Sequence, residues 1–420
     1  MKLLHTSDWH LGKAVYGNHD RYADFQAVLS EIGDVARDTR PDLILHTGDL
    51  FDRAQPAAPY LALGVRALLD LAKVAPTVVV RGNHDSEAML RSFDLLVNEL
   101  AAAQGSPGRL RFITAATTPA NGGPLDLPAS GGQRIRLAAL PFVHRNRAVE
   151  GFDLPEQASV IYADHLRDIQ RELGRSLWEG SERDRDVLVF AAHLYVEGAL
   201  LSWSERPLDV TDDYACYADA LPEVAYCALG HIHKPQQISR AGVTARYAGS
   251  PLQLDFGEEG ETKSVVLIEA NPGRPTKTDV IALQSGRRLK IFTGDMNQLA
   301  AQADQISDAF VKAIIDVDDP SPGLSAAVQA VIPRATIVDL MPRYPGSEEV
   351  AVLGAHSDVE PEPDLTELFG EYLDTHSSIP GRGAVLRQTF AELLAAADYD
   401  EPVIDPVARL LQAAIPTQHD

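Results

Sequence analysis

Two hydrophobic periods alternate through the first 85 residues. Lys2-Leu-Leu-His-Thr6, Asp42-Leu-Ile-Leu-His46 and Thr77-Val-Val-Val-Arg81 are short apolar runs closed by polar residues, a pattern that predicts buried strands. Between them Tyr22, Phe25, Val28, Leu29, Ile32 and Val35 recur at helical spacing, which predicts a helix over 22–39. A second helix is predicted over 59–73 and a third over 86–104. Strands alternating with helices imply an α/β layered core, with the polar cluster at each strand's carboxyl end on the ligand side. Further on, strands are predicted at 135–140, 187–192, 224–229, 243–248 and 264–269, with 155–175 the one clear helix among them. The Gly-, Pro- and Ala-rich stretch 119–132 reads as a surface loop.

Turn formers crowd into Asn271-Pro-Gly-Arg-Pro-Thr-Lys277. They mark either a domain end or a hairpin tip with Thr278–Leu283 pairing back; the domain change is placed just after, near 285. Residues 286–355 then read strand (289–292), helix (296–309), strand (311–317), helix (321–332), strand (335–340), a small α+β module. Past Pro361-Glu-Pro-Asp364 two amphipathic helices are predicted. The first, 364–375, opens on an Asp364/Glu367 capping-box pattern and lines Leu365, Leu368, Phe369, Tyr372 and Leu373 on one face. The second, 384–397, does so with Leu386, Phe390, Leu393 and Leu394. The expected division is 1–284, 285–357 and 358–420.

Of the 420 residues 45% are hydrophobic and 23% charged, enough apolar material for a large core, which excludes a wholly disordered chain. No run approaches the ~18 uninterrupted apolar residues of a membrane span, and the polar start is not that of a signal peptide. Two cysteines, Cys216 and Cys227, exclude a disulfide scaffold and a four-cysteine zinc site, so a cytoplasmic setting is expected. The charge is unusual: 37 Lys and Arg face 60 Asp and Glu, a net of −23. Residues 341–420 alone hold 15 acidic and 4 basic side chains. A passive nucleic-acid binder would carry a basic surplus instead.

Five polar clusters, each following an apolar strand, carry the candidate chemistry: Asp8-Trp-His10, Gly48-Asp49, Gly82-Asn-His-Asp85, His193, and Gly230-His-Ile-His233. Asp8, His10, Asp49, Asn83, His193, His231 and His233 offer seven mixed nitrogen and oxygen donors. Seven exceed the tetrahedral shell of one zinc but suit two ions sharing a bridging carboxylate. Mixed imidazole and carboxylate favours Mn, Fe or Zn over Mg. Two ions about 3.5–4 Å apart are a tool for phosphoester hydrolysis. His5 and His46 lie inside strands and read as packed, hydrogen-bonded histidines, and Trp9 as a residue packed against its loop. Lys13, Arg53 and Arg91 read as solvated charges.

This order of motifs resembles that of the calcineurin-like metallophosphoesterases over residues 1–270. Leu4-His-Thr-Ser-Asp-Trp-His-Leu-Gly12, His46-Thr-Gly-Asp-Leu-Phe-Asp52, Tyr226-x-Ala-Leu-Gly-His-Ile-His233 and Gly249-Ser-Pro251 look most like the branch that supplies the nuclease subunits of bacterial DNA repair complexes. The resemblance implies a four-layer α-β-β-α sandwich with a small α+β capping domain and C-terminal helices. It implies one metal on Asp8, His10, Asp49 and His233 and a second on Asp49, Asn83, His193 and His231, both divalent and above all Mn2+. His84 would protonate the leaving oxygen and Asp85 would orient His84, while Asp52 stands where some branches place His. It further implies DNA as substrate, cut from duplex ends or within hairpins and single strands, and a homodimer through the helices near 58–72 and 86–104. The expected location is the cytoplasm, in association with the nucleoid, and a coiled-coil ATPase partner would complete a heterotetramer. Such a partner is consistent with the missing Gly-x-x-x-x-Gly-Lys-[Ser/Thr] loop, and the terminal helices would be its dock. The rival expectations are a phosphoesterase for small nucleotides or phosphoproteins and a non-catalytic scaffold that kept the fold.

Overall fold

The computed structural model describes residues 1–16, 19–105, 108–144, 155–202, 204–205, 215–240, 242–318 and 323–344, together with 387 and 390. Met1–Glu348 form one compact unit and Glu349–Asp420 another. The expected helix 364–375 lies outside the described residues, as does the expected helix 384–397 apart from 387 and 390.

Strands β1 (Lys2–Thr6), β2 (Leu43–His46), β3 (Thr77–Val80) and β4 (Leu110–Ile113) run parallel. They are separated by helices α1 (Tyr22–Thr39), α2 (Ala58–Val74) and α3 (Glu87–Ala103). The inner strands β2 and β3 are buried along their whole length because both of their faces are covered, and all but His46 and Thr77 in them are apolar. On one face Leu4, Ile44 and Val79 pack against Phe25, Val28 and Ile32 of α1 and Leu68 and Leu71 of α2. On the other, Leu3, Leu45 and Val80 meet Leu137, Val189 and Ala228 of a second sheet.

That second sheet holds β5 (Leu125–Pro128), β6 (Arg134–Leu140), β7 (Asp186–His193), β10 (Tyr226–Gly230), β11 (Gln236–Arg240) and β12 (Val243–Tyr247). Its order is β11-β12-β10-β7-β6-β5, with β12, β10, β7 and β6 parallel. Two short strands, β8 (Tyr195–Val196) and β9 (Ala215–Cys216), pair with each other. Helix α4 (Pro155–Trp178) covers the outer face by burying Tyr162, Leu166, Leu173 and Leu177, which lie along one stripe. The layers are therefore helix, sheet, sheet, helix, as expected.

The first sheet is completed by β13 (Ser264–Glu269) and β14 (Lys277–Ala282), antiparallel to each other, with β13 pairing beside β1. Residues 271–276 are thus a hairpin tip, the second of the two readings open from sequence. The predicted loop 119–132 is corrected: Leu125–Pro128 form β5, paired antiparallel with β6. A third, parallel sheet follows, β15 (Leu289–Gly294), β16 (Phe310–Asp316) and β17 (Thr336–Arg343), with helices α5 (Met296–Ile306) and α6 (Leu324–Val331). It has its own core of Phe292, Leu299, Val311, Ile315 and Val328. Asp295 and Gln298 close a reciprocal capping box at the start of α5.

Candidate metal centre

Parallel pairing aligns the carboxyl ends of the strands. Thr6 is level with His46, and His193 with Gly230. The five clusters consequently leave the two sheets at one rim. Backbone bonds tie their loops together: Asp8 N–H donates to Gly48 O and His10 N–H to Asp49 O, each at 3.0 Å. Asp8, His10, Asp49 and His231 take positive φ angles of 50°, 44°, 52° and 99°. Such backbone is disfavoured for residues with a side chain and collects at functional sites. Gly48, with φ of +98°, permits a close approach, since a Cβ there would sit 2.1 Å from His193 Nδ1.

All seven predicted donors are buried, and their ligand atoms fall into neighbouring groups linked through His10 and Asp49. Asp49 Oδ2 is 3.4 Å from both His10 Nε2 and His193 Nε2. On one side Asp8, His10 and His233 bring ligand atoms within 4.8 Å of one another. On the other, Asn83 Oδ1 lies 2.9 Å from His193 Nε2 and 3.1 Å from His231 Nδ1, and those two ring nitrogens are 3.2 Å apart. Opposite ring atoms are anchored by the protein: His193 Nδ1 lies 2.7 Å from Thr47 O.

This donor set fits divalent cations. His10 Nε2 is buried without a hydrogen-bond partner among the described residues. Acceptor oxygens and ring nitrogens face one another at distances where each would otherwise need a proton. The electrostatics agree. Burial works to lower the pKa of His193, but the carboxylates of Asp49 and then Asp8 outweigh it and push the pKa up to about 9. Burial pushes the Asp8 carboxyl up, whereas Asp49 is held well below the usual range, its burial offset by His193 and His84.

His84 is half-buried beside the donors, its ring centroid 4.7 Å from that of His10. Its backbone N–H donates to Asp49 Oδ1 at 2.9 Å and its Nδ1 lies 2.7 Å from Asp52 O. The Asp85 carboxylate accepts from the backbone N–H groups of Leu50, Phe51 and Gly82. Its influence on His84 therefore passes through the loop backbone. Burial and then the nearby Asp49 raise Asp85 to about 6. Asp52 reaches His10 Nδ1 at 3.7 Å and Lys13 Nζ at 3.5 Å.

The remaining candidates lie apart from the donor cluster. His5 is fully buried and hydrogen-bonded to Tyr226 Oη and Thr47 Oγ1, each at 2.9 Å. His46 is buried in a T-shaped contact with Trp9, with neither ring nitrogen hydrogen-bonded among the described residues, and burial lowers its pKa to about 3. Trp9 is itself fully buried, donating to Thr6 Oγ1 at 2.8 Å, so it is a packing residue. Arg53 and Arg91 are exposed. Sequence reasoning missed Ser204, Glu205, Glu258 and Lys263, which surround His233. They come from loops, the short 3-10 turn Phe256–Glu258 and the position just before β13, where no motif points to them.

Residues 1–235 match the family described as calcineurin-like phosphoesterase, and the chain belongs to that family. Its curated relatives narrow the comparison. It is 34% identical over 294 residues to SbcD, the D component of the nuclease SbcCD, from Bacillus subtilis (strain 168), covering 69% of this chain and 71% of the relative. The protein of the same name from Escherichia coli (strain K12) is 29% identical over 323 residues, covering 73% of this chain and 74% of the relative.

Proposed function

We propose that this chain is the nuclease subunit of an SbcCD-type DNA repair and recombination complex. The observation that carries the reading is the gathering of seven buried donors, from five strand ends, into two linked groups, with Asp49 Oδ2 3.4 Å from both His10 and His193 where they meet. In this reading Asp8, His10, Asp49 and His233 hold one divalent ion, and Asp49, Asn83, His193 and His231 the other. Two such ions, Mn2+ by preference, would acidify an attacking water and offset the charge on the phosphodiester oxygens. His84 contacts the scissile phosphate and protonates the leaving oxygen, its ring set by the Asp52 carbonyl. Asp85 acts as a positioning residue by holding the loops that carry Asp49 and His84. The substrates are duplex ends, cut exonucleolytically, and hairpins or single strands, cut endonucleolytically.

Residues 1–284 form the nuclease domain in this reading, 285–357 the capping domain and 358–420 the dock for an SbcC-type coiled-coil ATPase. That partner would supply the ATP-binding loop missing from this sequence. A homodimer is supported by Leu69 on α2 and by Leu95, Leu96 and Leu100 on α3, exposed by 44%, 63%, 57% and 54%. Among the described residues no helix is long and apolar enough to cross a membrane, which accords with work on DNA in the cytoplasm.

The test is hydrolysis of linear duplex DNA and of a small phosphodiester by the purified chain with Mn2+. Asp49→Ala should lose both activities together with bound metal. His84→Ala should keep its metal and lose about 10²–10⁴-fold in rate. Small-ester hydrolysis without any DNA cleavage, even with an SbcC-type partner added, would move the assignment to a small-substrate phosphoesterase. A wild-type chain that takes up no metal would be a scaffold.

A further inference from the structure

His233 is gripped from three directions by groups that are not candidate ligands. Its backbone N–H donates to Glu205 Oε1 at 3.0 Å. Its carbonyl accepts from Lys263 Nζ at 3.1 Å and from Ser250 N–H at 3.0 Å. Its ring Nδ1 lies 2.6 Å from Ser204 Oγ, and that hydroxyl donates to Glu258 Oε1. The far oxygen of Glu258 accepts from Leu254 N–H at 3.0 Å and pairs with Lys263 Nζ at 2.6 Å. Lys263 also pairs with Glu261 at 2.8 Å. Glu258 and Lys263 are fully buried and Glu205 nearly so.

The polarity of this chain is set by its end. A Glu258 carboxylate has only lone pairs to offer, so the Ser204 hydroxyl points its hydrogen there. Ser204 Oγ can then only accept from the ring, which keeps the hydrogen of His233 on Nδ1 and the lone pair on Nε2. With Nδ1 engaged by Ser204, Nε2 is the ring nitrogen left to serve the cluster with Asp8 and His10. A buried Lys–Glu pair is weak evidence for stability by itself, since desolvation offsets much of its attraction. Its value here is that it fixes one tautomer and one ring orientation.

We propose that Ser204, Glu258 and Lys263 are positioning residues that hold His233 as a ligand for one of the two metal ions and leave the other ion's ligands untouched. The idea rests on the two-metal reading above. It predicts a selective defect, because His193 is placed by Thr47 O and Asn83, not by Ser204, Glu258 or Lys263.

The experiment is calorimetric titration of the metal-free full chain with Mn2+, wild type against Ser204→Ala, Ser204→Thr and Glu258→Gln. The wild type should show two binding steps. Ser204→Ala and Glu258→Gln should weaken one step by about 10–100-fold and leave the other in place. Ser204→Thr, which keeps the hydroxyl, should restore both. Hydrolysis by Ser204→Ala should recover as Mn2+ is raised, a rescue that mere unfolding would not allow. Two unaltered steps in both variants would overturn the proposal, as would equal weakening of both steps or loss of the folded far-ultraviolet spectrum in Ser204→Ala. A wild type that binds fewer than two ions would instead defeat the two-metal reading itself.

Discussion

Asp49 performs two tasks with one carboxylate. Oδ1 accepts the His84 backbone N–H, and Oδ2 sits between His10 and His193. Its position depends on an absent side chain: a Cβ on Gly82 would lie 2.1 Å from Asp49 Oδ1 and 2.3 Å from its backbone N. Backbone cannot yield as a flexible side chain would. Gly82→Ala should therefore lose metal and hydrolysis together while stability falls by only about 1–3 kcal/mol, read by metal analysis and urea unfolding. A second prediction concerns His193, whose metal-free pKa near 9 stands above the ordinary 6.5 because Asp49 and Asp8 outweigh burial. At pH 7.5 that ring is protonated, and a cation must expel its proton. Metal uptake should thus release protons, and apparent affinity should rise with pH until about 9. Titrations in buffers of different ionisation enthalpy measure this; zero net proton release at pH 7.5 would contradict it.

At the scale of elements, what could be read from sequence followed burial. The inner strands β1, β2, β3, β7 and β10 are apolar runs because both faces are covered, and each announces the donor cluster that follows it. The edge strands β5 and β11 escaped because they are half-exposed and carry Asp126, Pro128, Gln236 and Arg240 amid their apolar positions. The seven donors were legible for the same reason the inner strands were. Ser204, Glu205 and Glu258 were not, since they reach His233 from a loop and a three-residue 3-10 turn whose polar residues look like any loop's. Helix α3 carries the prediction at this scale. Only Leu90 is buried along it, while Leu95, Leu96 and Leu100 face outward. If that face joins two copies, Leu96→Glu with Leu100→Glu should yield a monomer by light scattering. Stability of the single chain should change little, because exposed substitutions usually stay within about 0.5 kcal/mol. A dimer that survives both changes would place the contact elsewhere.

For the whole molecule, two couplings matter: the small sheet to the larger body, and the protein to its charged substrate. The first runs through Asp24 on α1, which is nearly buried and pairs with Arg21 at 3.4 Å and Arg287 at 3.2 Å. Arg287 in turn lies 3.9 Å over the ring of Phe310 on β16, and Arg21 donates to Arg287 O at 3.1 Å. Asp24→Ala would leave the fully buried Arg21 uncompensated, and urea unfolding should register a loss of about 3–5 kcal/mol. The second coupling is set by the net charge of −23, of which residues 341–420 contribute 15 acidic against 4 basic side chains. Metal ions can draw a phosphodiester into the rim, but they neutralise only the phosphate being cut. Duplex beyond that point meets a chain of net negative charge, which offers few basic groups to displace its counterions. The isolated chain should therefore bind DNA more weakly than about 10⁻⁶ M at physiological salt, since even ordinary non-specific binders reach only about 10⁻⁴–10⁻⁶ M. Fluorescence anisotropy on an uncleavable duplex across a salt series measures both affinity and slope. An SbcC-type partner, if it carries the phosphate contacts, should raise the affinity and steepen the slope. Tight binding by the isolated chain with a flat salt dependence would instead require a DNA surface of its own, built despite its charge.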